Sequence, residues 1–307
     1  MNVLKFSLNR PEILAPVGDF ERLEAAIRFG ADAVYLGSTE FGMRAASANF
    51  DPDSLKKAVD YAHDRGVRLY LTCNTLPRND EMDRLADFLR AVEPAGVDAF
   101  IVSDIGVLSL VKKILPDAEI HISTQTGVVN YLTASELYAM GAKRVVLARE
   151  LSLDEIREIR HRTPPELEIE TFVHGAMCMS FSGRCVLSNY LVDRDANRGQ
   201  CAQPCRWGYY LVEEKRLHDH YPIFEDEGGT YILNAKDLCM LAYLDQLTQA
   251  GITSFKIEGR AKSSYYVSVV TNAYRLALDD YLAHPEGWKL PDWLMEEVRK
   301  VSHRDYS

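Results

Sequence analysis

The chain has 307 residues and a mass of 34.7 kDa, enough for one large domain or two modest ones. Its 47% hydrophobic and 26% charged residues are those of an ordinary soluble globular protein. The 35 basic and 45 acidic residues give a formal charge of -10, which argues against a surface coated for non-specific nucleic-acid binding but leaves room for a local basic groove.

No stretch approaches the roughly 18 apolar residues that a membrane-spanning helix needs. The first ten residues contain no apolar run of the kind that marks a secretory signal. The expected setting is therefore cytoplasmic, where thiols stay reduced and disulfides lose most of their weight.

Along the chain, short β-rich runs alternate with helical stretches. The runs cover 13–16, 33–37, 68–73, 99–104, 120–124, 144–148, 167–173 and 254–258. Segments 20–29 and 55–63 place apolar residues at helical spacing, and Ser152 with Glu155 has the spacing of a capping box. Gly30 and Gly141 stand just before strand runs, as helix-ending glycines do. Eight strands alternating with helices predict a parallel (β/α)8 barrel of the TIM type, with a doubly wound open sheet as the alternative. The seventh unit is more than twice as long as the others, so residues 174–252 form an insertion after strand 7. Barrel active sites are built from the loops after strand C-termini, which puts this insertion on the functional face. The barrel is expected to occupy 1–262, and 263–307 a C-terminal helical segment.

Five of the six cysteines lie in that insertion: Cys178, Cys185, Cys201, Cys205 and Cys239. Thiolates this dense in one loop system point to a metal or cluster site. Four of them can close around an iron–sulfur cubane; a four-cysteine zinc site is the rival, although only Cys201 and Cys205 have the close spacing of a zinc ribbon. Cys239 is expected at the start of a helix after a polar hairpin, and Cys73, on the third strand, as a buried small hydrophobe. His174, four residues before Cys178, admits a Cys–His nucleophilic pair. It is equally placed to line the pocket. Asp104, Gln125, Arg149, Glu150, Lys256, Glu258 and Arg260 stand at strand ends facing the barrel mouth, where Arg149 and Arg260 are suited to clamp a carboxylate. Arg44, after the second strand, is a further anion contact.

The run Glu170-Thr-Phe-Val-His-Gly-Ala-Met-Cys178 through Cys185-Val-Leu-Ser188 resembles the signature of the peptidase U32 family, once described as collagenase-like. Pro11 to Asp19, Ala31 to Gly37 and Phe255 to Arg260 look like the same family, so the resemblance spans nearly the whole chain. It implies an oxygen-independent hydroxylase carrying a four-iron, four-sulfur cluster and acting on RNA, foremost tRNA wobble uridine at C5, with prephenate as a required small molecule. The ligands it implies are Cys178, Cys185, Cys201 and Cys239, with Cys205 as a substitute for Cys201. His174, Glu258 and Arg260 would be catalytic, and Arg44, Gln125, Arg149 and Lys256 would hold the small carboxylate. Partners implied are tRNA and a partner protein or second copy, with no membrane. Members nearest to this pattern continue into a C-terminal β domain beyond the point where this chain stops. A U32-type peptidase and a non-catalytic subunit of a hydroxylase complex are the alternative functions; no His-Glu-x-x-His or Gly-x-Ser-x-Gly supports the first.

Overall fold

The computed structural model describes residues 10–42, 49–178, 180–181, 184–207, 210–211, 215, 217–218, 221–222 and 236–306. Its strands are β1 (Glu12–Pro16), β2 (Ala33–Gly37), β3 (Arg68–Cys73), β4 (Ala99–Val102), β5 (Glu119–Ile122), β6 (Arg144–Val146) and β7 (Glu168–Ala176). In the insertion come β8 (Tyr210–Leu211), β9 (Tyr221–Pro222) and β10 (Asp237–Cys239), followed by β11 (Ser254–Ile257). The helices are α1 (Phe20–Arg28), α2 (Pro52–His63), α3 (Met82–Val92), α4 (Ile105–Ile114) and α5 (Tyr131–Ala139). They continue with α6 (Leu153–Arg162), α7 (Leu187–Val192), α8 (Leu244–Gln249), α9 (Ser264–Ala283) and α10 (Asp292–Arg299).

Strands β1 to β7 pair in chain order, all parallel, and β11 pairs in parallel with both β7 and β1. That last pairing closes the ring and rules out the open sheet. A smaller interior cluster of Leu14, Ala33, Tyr35, Tyr70, Ala99 and Ile101 fills the ring, and the large apolar core lies between the strands and the helices. Helix starts follow the local chemistry. Asp19 caps α1, Asp51 caps α2 ahead of Pro52, and Ser152 and Glu155 form the expected reciprocal box at α6. Helix α9 packs along α1 and β1, in the place of the eighth barrel helix.

The barrel floor is ionic. Arg144, 1% exposed, lies 2.7 Å from Glu12 and 3.0 Å from Glu170, and also pairs with Glu168. Lys256 reaches Glu170 at 2.7 Å from above, and the Tyr70 hydroxyl donates to Glu12 at 2.7 Å. Burial alone would raise the Glu12 carboxyl; the charges of Arg144 and Arg68 outweigh it and hold the group at about 2. Glu119, His121 and Glu168 also converge here, but the Arg144 guanidinium on Glu168 opposes a metal ion at that point.

The insertion adds a strand that the sequence does not announce. β10 runs antiparallel to β7, pairing Asp237 with Ala176 and Cys239 with His174. Cys239 therefore sits in a strand, not at a helix start: β7 has a free edge above the ring, and β10 takes it. The polar hairpin ahead of it is real, formed by β8 and β9. Residues 302–306 stitch β10 down, because Arg304 pairs with buried Asp237 at 3.0 Å and Asp305 accepts from the Asp237 amide.

Candidate active site

At the C-terminal mouth of the barrel lies a cavity of about 170 Å³. Strand ends supply its lower wall with Tyr35, Thr72, Gln125, Arg149, Lys256 and Arg260, and the insertion supplies the upper wall with Cys178, Cys185, Cys201 and Cys205. None of the four is in a disulfide. Cys178 is exposed, and the other three are half-buried.

The thiols are held by short-range bonds within the insertion. The amide of Leu187 donates to the Cys185 sulfur at 3.4 Å, and that of Gln203 to the Cys201 sulfur at 3.3 Å. Such N–H donors stabilise a thiolate and are among the contacts that tune cluster sulfurs. Asn197 donates to the Cys185 carbonyl, and the buried Ser188 hydroxyl accepts from Ala202, so the two cysteine loops brace each other. Arg184 ties them to the barrel by donating to the Gln125 carbonyl at 2.7 Å. The chemistry of this donor set suits a thiolate-bound metal cluster: of the implied ligands, Cys178, Cys185 and Cys201 stand on this wall, together with Cys205.

Cys239 is elsewhere. It is 6% exposed, belongs to the apolar core beside Tyr274, and burial pushes its thiol up. Cys73 is buried under the third strand end, and burial pushes it up to about 12, as a small hydrophobe requires.

His174 also leaves the mouth. Glu170 and Phe172 face inward, so simple alternation would put His174 inward too. An extra residue in β7 breaks the register: Lys256 opposes Phe172, but Ile257 opposes His174. The imidazole turns outward, 1% exposed, with its Nδ1 3.4 Å from Tyr274 and its Nε2 3.5 Å from Tyr306. Burial lowers it to about 3, so it is neutral. It faces no thiol of the cavity, and the Cys–His pair is not formed. Gly175 follows at φ 103°, where a Cβ would stand 2.5 Å from the Glu258 carbonyl.

The remaining candidates divide. Gln125, Arg149, Glu150, Lys256, Glu258 and Arg260 all line the cavity. Asp104 does not; it caps α4 by accepting from Val107. Arg44 lies outside the described residues. Arg149 stacks its guanidinium 3.8 Å over Phe172 and donates to the Ala176 carbonyl at 2.8 Å, while its Nε is buried without a partner. Arg260, 4% exposed, donates to Thr72 at 3.2 Å and Asn49 at 2.7 Å. Its guanidinium lies over Gly37, the last residue of β2, where a Cβ would collide with it. Asn74 also lines the cavity and was not among the residues read from the sequence, although its place one residue past β3 follows the same strand-end rule.

A parallel barrel with a cysteine-bearing insertion over its mouth and cations along the cavity wall defines a barrel of the enzyme type. The model of peptidase family U32 matches residues 18–307, and the chain belongs to that family. It is 39% identical over 296 residues to tRNA hydroxylation protein P1 of Bacillus subtilis, covering 96% of this chain and 69% of that one. It is 36% identical to the 23S rRNA 5-hydroxycytidine C2501 synthase of Escherichia coli, covering 97% of this chain and 45% of the other. Among solved structures, the U32 peptidase Mk0906 shares the fold with a TM-score of 0.52 at 17% identity, over 81% of this chain and 93% of that one. Among the described residues, no helix is long and apolar enough to cross a membrane.

Proposed function

We propose that this protein hydroxylates a pyrimidine base in RNA, most directly C5 of a tRNA uridine, with an iron–sulfur cluster at the barrel mouth. The observation that carries the reading is one cavity with four thiols above and cations below, in a chain whose relatives are named for hydroxylating RNA. tRNA as the partner implies a cytoplasmic site of action. When bound, a cluster supplies one-electron redox steps that no side chain here offers. The protein's own groups do the rest. Arg149 and Arg260, which line the cavity, attract a small carboxylate, prephenate by family resemblance. Lys256, fixed on Glu170, adds positive charge below it. Glu258 stands at the mouth beside the Tyr35 hydroxyl, 3.4 Å away, as the carboxylate that takes up a proton from the base. The target nucleotide would have to leave its stack to enter the cavity. The peptidase alternative lacks its nucleophilic pair, since His174 faces away from the cavity.

The test is direct. Protein purified without oxygen should show iron and sulfide together with a broad visible absorption, and should restore hydroxylated uridine to tRNA in a host that lacks its own enzyme. A colourless zinc protein that restores nothing would sink the proposal.

Gly37 offers a second check. Gly37→Ala should displace the Arg260 guanidinium while leaving β2 intact, because no left-handed backbone is required there. Misplacing a binding group by about 1 Å costs on the order of 10²-fold in rate. Hydroxylation should fall by about that much, with iron content unchanged; wild-type turnover would show that Arg260 is not engaged with ligand.

A further inference from the structure

The wall of the cavity carries two primary amides, Asn74 and Gln125, whose hydrogen-bonding capacity exceeds the contacts they make within the protein. Gln125, 7% exposed, lies in the turn after β5, and Asn74 follows β3; both line the cavity. The Oδ1 of Asn74 is buried with no partner. Between them stands Ser103, 5% exposed, whose hydroxyl lies 3.1 Å from the Asn74 backbone carbonyl and 3.1 Å from Gln125 Oε1.

One hydroxyl has one hydrogen to give and lone pairs to accept with. The Asn74 carbonyl can only accept, whereas an amide can present either of its ends. With the Gln125 amide turned end for end from that placement, all three groups are satisfied together: Ser103 donates to the Asn74 carbonyl and accepts from Gln125 Nε2. Gln125 Oε1 is then the atom offered to the cavity. Its backbone is fixed independently, because the carbonyl of Gln125 accepts from Arg184. The Asn74 amide, on the same cavity wall, supplies a donor through its Nδ2.

An acceptor and a donor held on one cavity wall and linked through Ser103 match the edge of a planar ring that carries N–H next to C=O. Resting on the RNA-hydroxylase reading above, we propose that Asn74 and Gln125 read the Watson–Crick edge of the flipped base: Gln125 Oε1 accepts the uracil N3–H, and Asn74 donates to the neighbouring carbonyl. Ser103 is a positioning residue that keeps Gln125 turned the right way. A site built to bond such an edge rejects rings that lack it, since its own buried polar atoms would be left unpaired.

The experiment uses the full chain, loaded with iron, and a uridine-containing anticodon stem-loop RNA, with binding and hydroxylation both measured. Gln125→Leu and Asn74→Ala should each lower hydroxylation at least tenfold, chiefly through weaker binding of the RNA, and Ser103→Ala should give a smaller loss of the same kind. Iron content and melting temperature should stay at wild-type values, which a merely structural role would not allow. Variants that bind and hydroxylate like the wild type would overturn the base-reading assignment and leave the hydroxylase intact. A wild type that neither binds nor hydroxylates the RNA would overturn both.

Discussion

Cys205→Ala is expected to fold and to lose its iron, while Cys239→Ala is expected to keep it. Cys205 lies on the cavity wall with Cys178, Cys185 and Cys201, in the insertion whose Cys185 and Cys201 loops brace each other. Cys239 is in the core on β10, and burial there disfavours the thiolate that a metal requires. Cys178→Ala, Cys185→Ala and Cys201→Ala should behave as Cys205→Ala does, with iron per chain falling several-fold and RNA hydroxylation falling to background. Iron and sulfide per folded chain, read beside the circular dichroism spectrum, distinguish loss of the cluster from loss of the fold. Iron retained in Cys205→Ala and lost in Cys239→Ala would assign the fourth ligand to Cys239, the ligand that family resemblance alone implies.

Arg144→Met should be the most destabilising single change in the barrel. It would leave Glu12 and Glu170, both nearly fully buried, facing each other without their shared cation. Removing one member of a buried ion network costs about 3–5 kcal/mol, because the remaining charge keeps its desolvation penalty. Urea titration should show that loss as a lower midpoint at unchanged slope. The same network sets an acid limit. Glu12 is held at about 2 against an ordinary 4.5, so its contribution to stability is complete above about 4.5 and is lost as the pH falls toward 2. Unfolding free energy measured across that window should decline in the wild type. Arg144→Met should show a flatter dependence, since only Arg68 and the Tyr70 hydroxyl would then oppose the burial that raises the Glu12 carboxyl. An unchanged slope would mean that the network does not govern acid stability.

The regular part of the fold was legible because each of its signals is local. Strand runs such as 33–37 and 68–73, the cap at Ser152 and the helix-ending glycines Gly30 and Gly141, which adopt φ of 94° and 100°, each depend on a few neighbouring residues. The length of the seventh unit placed the insertion, and the strand-end rule gathered Gln125, Arg149, Glu258 and Arg260 at one mouth. Where the reading failed to place a side chain, a non-local contact decided. Alternation along β7 is a local rule, and one extra residue opposite β11 reversed it for His174. The position of Cys239 depends on which strand edge was free, a property of the closed ring. Nothing near Arg144 in the chain announces Glu12, 132 residues away.

The sequence by itself determined the alternation of strands and helices, the site-bearing insertion and the density of thiols within it, because periodicity, capping and composition are written residue by residue. Only the tertiary structure decided that the sheet closes, which thiols share a wall, which way His174 turns and where buried charges meet. Those outcomes depend on packing between segments far apart in the chain, where a single register step moves a side chain from the cavity to the core.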